Sequence, residues 1–295
     1  ALVGATTTAG IAIQALILYI PLVRSGFHPR FVWGVRGMGL GTMSKVALWA
    51  LLGTAVVSLG DIATANLGSQ AVTAAESAQY ADQIVPSKTL YDNTQLVYML
   101  PQSLVTTSII TALFTRMSEK AAAGDRGGVR DDLSLGLRSV AVFTILFAAG
   151  IGTLATPSLQ LFVPSLSLAE ATAAGPILTV LAIGIIFQGI WFTTQRVMLA
   201  YADTKRLLIA DSVVGIVPAI VCLVAYLATP ANHWMTWAAA GSMLSQVGGS
   251  VAVIPLIRRH LPDLDGPRVI ATYARLAVAA IPAVLVGLGV RALLG

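Results

Sequence analysis

Eight runs of apolar residues divide the chain, at roughly 2–23, 39–66, 96–117, 137–163, 176–200, 207–228, 234–257 and 269–294. Within each run the apolar positions are continuous, not alternating, which is the pattern of helices and not of barrel strands. Each run can carry a helix across a hydrocarbon layer of about 30 Å, a distance that takes roughly 20 residues. The pattern predicts an all-α integral membrane protein of about eight transmembrane helices.

The segments between runs alternate in charge. The 24–38 segment carries Arg24, Arg30 and Arg36 without an acid, and 116–138 carries Arg116, Lys120, Arg126, Arg130 and Arg138. Lys205 and Arg206 fill 201–206, and Arg258, Arg259 and Arg268 fill 258–268. The alternate segments are poor in bases: 67–95 has Lys88 against Glu76, Asp82 and Asp92, 164–175 has only Glu170, and 229–233 has no Lys or Arg. Basic loops stay on the cytoplasmic side, so the first run leads inward and the C-terminus lies outside. Residues 68–95 are polar and long enough for a short surface helix, while 118–136 read as a hairpin bent at Gly124-Asp125-Arg126-Gly127-Gly128. Trp234 and Trp237 fall where belt tryptophans sit.

Composition narrows the class further. The 295 residues are 56% hydrophobic and 11% charged, with a mean hydropathy of +0.82. A soluble domain is about 25% charged, so this chain cannot coat a globule with polar surface. Soluble enzymes, disordered proteins and nucleic-acid modules are excluded on that ground. The net charge of +5 then reflects the basic loops. The single cysteine, Cys222, excludes an internal disulfide and a multi-cysteine metal site. The start at Ala1, without an initiator Met or a signal-peptide pattern, suggests a piece of a longer protein.

Polar residues inside the runs are the candidates for function. Ser103, Thr107, Thr111 and Thr115 recur every four residues beside Gln102, forming one helical stripe behind Pro101. Such a stripe either lines a hydrated cavity or bonds back to its own helix and packs. Pro101 predicts a kink. Asp61 follows fifteen uncharged residues and Arg196 follows twenty, so both are expected to face water. Lys45, Arg116, Asp211 and Arg275 lie near run ends and are expected to snorkel. Gly241, Ser245 and Gly249 form a small-residue stripe for close helix packing, and Gln188, Gln195 and Gln246 are buried-amide candidates. His28, His233 and His260 lie far apart in loops. No phosphate-binding loop, nucleophile triad or metal cluster is legible, so neither catalysis nor a cofactor is expected.

Several segments carry a resemblance. Pro101 is followed by Thr111, Leu113 and the exit Thr115-Arg116-Met117-Ser118-Glu119-Lys120. Gly136-Leu137-Arg138 then opens the next span, and Ala200-Tyr201-Ala202-Asp203-Thr204-Lys205 joins two later ones. Thr8-Ala9-Gly10-Ile11-Ala12-Ile13-Gln14 through Pro21 resembles the helix that closes an N-terminal lobe. In this order the segments resemble the lipid II flippases of the MurJ/MviN family, within the multidrug/oligosaccharidyl-lipid/polysaccharide exporter superfamily. The resemblance implies that residues 1–38 are the last N-lobe helix and the inter-lobe linker. Residues 39–260 would be a six-helix C-terminal lobe, and 261–295 an additional helix associated with a lipid-tail groove. It implies a two-lobe transporter in the bacterial inner membrane that moves an undecaprenyl-pyrophosphate-linked sugar-peptide by alternating access, without covalent chemistry. Its partners would be that lipid, the bilayer and the missing N-lobe, with no nucleic acid. The cavity candidates are then Asp61, Gln102, Thr107, Thr111 and Arg196. The family's Arg and Glu before the proline are absent from Tyr91–Leu100. Asp61 falls where some members bind sodium, but Pro218 and Cys222 occupy the region of the partner Asn and Asp. Two alternatives stay open: a flippase for another polyprenyl glycan or a drug/cation antiporter, and a non-transporting scaffold for cell-wall enzymes.

Overall fold

The computed structural model describes residues 2–24, 40–80, 83–103 and 107–294. Arg30, Arg36 and His28 lie outside the described residues. The chain divides into two compact units, Ala1–Met43 and Ser44–Gly295. The first contains helix α1 (Leu2–Arg24), with Pro21 inside it. The long helix α2 (Leu40–Ala75) belongs to the second unit from Ser44 onward.

The second unit continues with α3 (Lys88–Pro101), α4 (Thr107–Ala122), α5 (Arg126–Thr153), α6 (Ala155–Phe162), α7 (Leu168–Ala200), α8 (Thr204–Ala228), α9 (Trp234–Ile257) and α10 (Gly266–Leu294). Among the described residues, six helices are long and apolar enough to cross a membrane.

Two runs that read as single helices are divided. The third run ends α3 at Pro101, continues through a wide π turn at Gln102 and Ser103, and resumes as α4 at Thr107. Pro101 has no N–H for the carbonyl one turn back, which weakens the end of α3. The fourth run breaks at Leu154 between α5 and α6. Pro157 likewise has no N–H to offer the Thr153 carbonyl. The polar 68–95 segment also differs from expectation. α2 extends through it to Ala75 and a single 3₁₀ turn follows at Ala78–Tyr80, in place of a surface helix.

Local caps set the other ends. Asp125 Oδ1 accepts from the Gly128 N–H at 2.8 Å and starts α5, just after Gly124 turns the chain at φ 75°. Ser167 and Glu170 cap α7 reciprocally, which begins that helix at Leu168 instead of 176. Asp203 caps α8.

The core is two apolar clusters. One gathers Leu67, Tyr91, Ile177, Leu181 and Met235 towards the acid-bearing loops. The other gathers Met117, Leu133, Trp191, Met198 and Leu261 towards the basic loops. α10 packs along α5, where a Cβ on Gly287 would meet Thr153 Oγ1 at 2.6 Å. Trp234 turns into the first cluster, its indole N–H donating to the Thr229 carbonyl at 2.9 Å, while Trp237 stays exposed. A buried amide partner outweighs an interfacial site for Trp234.

Candidate functional site

α2 and α8 cross almost backbone to backbone. A Cβ on Gly215 would lie 2.0 Å from the Val56 carbonyl oxygen, and one on Gly60 would lie 3.2 Å from Pro218. Asp211, Gly215, Pro218 and Cys222 form the α8 stripe that meets α2. Gly241 on α9 sits 3.1 Å, by its virtual Cβ, from Val221, and Gly249 sits 2.6 Å from Val214. α9 is thereby drawn against α8 and α7.

Beside this crossing lies a cavity of about 420 Å³, walled by α2, α3, α7, α8 and α9. Asp61 and Thr64 enter it from α2, Tyr91 and Gln95 from α3, Gln188 from α7, and Ser242, Ser245 and Gln246 from α9. Gln95 Nε2 donates to the Tyr91 hydroxyl at 3.2 Å, and that hydroxyl lies 3.2 Å from Ser242 Oγ. Thr64 Oγ1 donates to the Gly60 carbonyl at 2.9 Å. The carboxamide oxygens of Gln188 and Gln246 are buried without a donor. Asp61 makes no ion pair among the described residues. Lys88, at the rim, pairs with Asp92 and lies 5.7 Å from the Tyr91 ring centre.

The five cavity candidates do not meet in one place. Asp61 lines this chamber. Thr107 and Thr111 are exposed on α4 with Thr115, and Ser103 is exposed before that helix. Their hydroxyls donate within the helix, Thr111 to Thr107 at 2.7 Å and Thr107 to Gln102 at 3.1 Å, so solvent meets an already satisfied edge. Gln102 is buried and its carboxamide oxygen has no partner. Arg196 lies 5.5 Å from the ring centre of Phe114 on α4, half-buried, with Nε unpartnered. Ser245, placed by spacing in a packing stripe, also faces the chamber.

Two features were missed. Asp211 is buried, its carboxylate lying where a Cβ on Gly53 would meet Oδ2 at 2.4 Å, and it does not snorkel. The signal was the facing glycine, which no single-helix reading can detect. The Tyr91–Ser242 bond joins residues 151 positions apart. Among the described residues, no three His, Cys, Asp or Glu side chains gather as a metal site would require.

The sequence matches the family described as Lipid II flippase MurJ over residues 1–294. The fold matches a solved structure of a lipid II flippase MurJ in an inward closed conformation, with a TM-score of 0.60 at 15% identity. That match covers 96% of this chain and 61% of the other, so the chain spans about three fifths of the length of the structure it resembles. At that identity the likeness concerns the fold, and the family rests on the sequence match. The chain belongs to the lipid II flippase MurJ family.

Proposed function

We propose that this chain supplies the C-terminal lobe and one additional helix of a lipid II flippase working by alternating access. The substrate is an undecaprenyl-pyrophosphate-linked sugar-peptide, and the N-terminal lobe completes the cavity. Residues 1–38 close that lobe and link it, 39–260 form the six-helix C-lobe, and 261–295 add a helix. The protein sits in the bacterial inner membrane with its basic loops cytoplasmic and its C-terminus outside.

The observation that carries this reading is polar surface on membrane helices. Asp61 is exposed on α2, whose outward face around it is mostly apolar, and lipid is a poor solvent for a carboxylate. Facing a shared aqueous cavity removes that cost. Arg196 holds a guanidinium with no acid partner among the described residues. That suits a phosphate oxygen, which a planar guanidinium binds in two-pronged fashion. Charge crossing with the substrate would couple transport to membrane potential, at about 2.3 kcal/mol per charge per 100 mV. No covalent step is assigned.

The Tyr91–Leu100 stretch, which lacks any Arg, favours a second reading in which this lobe is a scaffold for cell-wall enzymes. Arg196→Ala separates the two. In vesicles carrying the two-lobe protein, lipid II flipping falls at least tenfold if Arg196 holds the headgroup. Flipping that is unchanged removes Arg196 from the cavity, and a wild-type protein that never flips leaves the scaffold.

A further inference from the structure

A second opening lies away from the polar chamber. It is a groove of about 640 Å³ between α5, α7, α9 and the start of α10. None of its lining comes from α2, α3 or α4, which hold the exposed polar residues Asp61, Thr107 and Thr111.

Its interior is closed to polar ligands. Leu133, Leu137, Ile190, Ile254, Ile257 and Ile270 make most of the wall. The polar groups inside are already committed. Thr194 Oγ1 donates to the Ile190 carbonyl at 2.8 Å, Ser250 Oγ to the Phe187 carbonyl at 3.2 Å, and the Tyr273 hydroxyl to the Leu137 carbonyl at 3.2 Å. The mouth is different. Asp263 is taken by Arg130 at 2.9 Å, but Arg258, at the end of α9, is exposed and makes no ion pair among the described residues. Arg259 and Arg268 add positive charge on the same loop and helix start.

The groove is also built to persist. Arg130–Asp263 and Ser134–Asp265, the latter 2.6 Å, tie α5 to the loop between α9 and α10 that forms its lower edge.

An apolar slot with one free guanidinium at its lip selects an amphiphile: a hydrocarbon chain inside and an anion outside. A volume of about 640 Å³ suits a single hydrocarbon chain. The basic loop puts the lip at the cytoplasmic leaflet. We propose that this groove is a binding site for one anionic phospholipid of the cytoplasmic leaflet, its acyl chain in the slot and its phosphate on Arg258. Its walls share no residue with the polar chamber.

Native mass spectrometry of the protein in mild detergent tests this, with equimolar phosphatidylglycerol and phosphatidylethanolamine offered together. One phosphatidylglycerol is retained in preference. Arg258→Gln lowers that retention about tenfold, the loss of one charge-assisted phosphate contact. Arg259→Gln, beside it but outside the groove, leaves retention unchanged. Ile254→Trp, which fills the slot, abolishes retention while the melting temperature of Arg258→Gln stays at the wild-type value. Equal retention of the two lipids, or an Arg258→Gln protein that retains phosphatidylglycerol in full, overturns the proposal. Displacement of the bound lipid by equimolar undecaprenyl phosphate overturns it too and gives the groove to the substrate's tail.

Discussion

At the end of the lobe that carries the basic loops, helices are joined by ions. Asp132 of α5 is buried and accepts from Arg116 at 2.8 Å and Lys120 at 2.7 Å, both on α4. Arg130 reaches Asp263, and Asp203 accepts from Arg206 at 2.6 Å and lies 3.0 Å from His260, whose ring stacks on Tyr201 at 4.5 Å. At the opposite end the bonds between elements are neutral. Tyr91 meets Ser242, the Ala231 N–H donates to the Tyr80 hydroxyl at 3.0 Å, and Asn232 reaches Gln83 at 3.4 Å. The one ion pair there among the described residues, Lys88–Asp92, lies within α3. Charge-assisted bonds are roughly twice as strong as neutral ones. The ionic end therefore acts as a brace, and the neutral end, which holds the polar chamber, can exchange partners at small cost. In the proposed alternating-access cycle, a lobe that rocks while its chamber adjusts would draw on that asymmetry.

The α2–α8 crossing is a backbone-to-backbone contact, so breaking it gives the largest effect. Gly215→Val places a side chain inside the Val56 carbonyl, and overpacking of this kind costs about 3 kcal/mol or more. Thermal unfolding in detergent reads it as a large fall in melting temperature. Gly289→Val on α10 meets open space and changes little. Equal falls for both would show that the close crossing is not what holds the lobe together. Next comes the ionic brace itself. Asp132→Ala leaves Arg116 and Lys120 facing each other without the acid between them. Breaking a fully buried pair costs about 3–5 kcal/mol, and the partial exposure of both cations reduces this to about 2 kcal/mol. Hydrogen exchange should then quicken in α4 and the start of α5 while the Tyr91 region keeps its protection. Uniform quickening would refute the division into two ends.

This asymmetry was only partly legible in the sequence. The apolar runs located the helices because a membrane span needs continuous hydrocarbon character, a property of composition. The alternation of Arg and Lys between loops marked which end would carry ions. The breaks were legible to different degrees: Pro101 announced a kink, while Pro157 lay unnoticed inside an apolar run. Which face of a span turns inward was not legible. In a helix apolar on every side, Asp211 one turn from an end reads as a snorkelling acid, and only the facing Gly53 accounts for its burial. The chamber was hidden for the same reason. Gln188 and Gln246 were visible as amides, but Tyr91 and Ser242 became partners only when α3 and α9 were folded together.

Acid sharpens the comparison from the ionic side. Burial alone would raise the Asp203 pKa, but the bonds from Arg206 and His260 outweigh it and hold the carboxylate below its ordinary 3.8. A carboxylate depressed on folding adds stability that is complete above its unfolded value and lost as pH falls through its folded value. The melting temperature is thus insensitive to Asp203 near neutrality and begins to fall below about pH 3.8. In Asp203→Asn that acid limb is shallower. A wild-type and a variant curve that run parallel through the acid range would show that Asp203 is not part of the brace.

The smallest effect belongs to the neutral end. Tyr91→Phe removes the hydroxyl that Gln95 and Ser242 share and leaves the ring packed in the first core cluster. Hydrogen bonds between membrane helices contribute about 0.6 kcal/mol on average, so the expected loss of stability is of that size. The double-mutant cycle with Ser242→Ala isolates the pair: the second substitution should cost almost nothing once the first is present. The effect is small because the chamber supplies substitutes. Gln188 and Gln246 already present carboxamide oxygens without donors, and Gln95, freed of Tyr91, has its N–H groups to give. A coupling near that of Asp132 with its cations would mean that the chamber is as rigid as the brace.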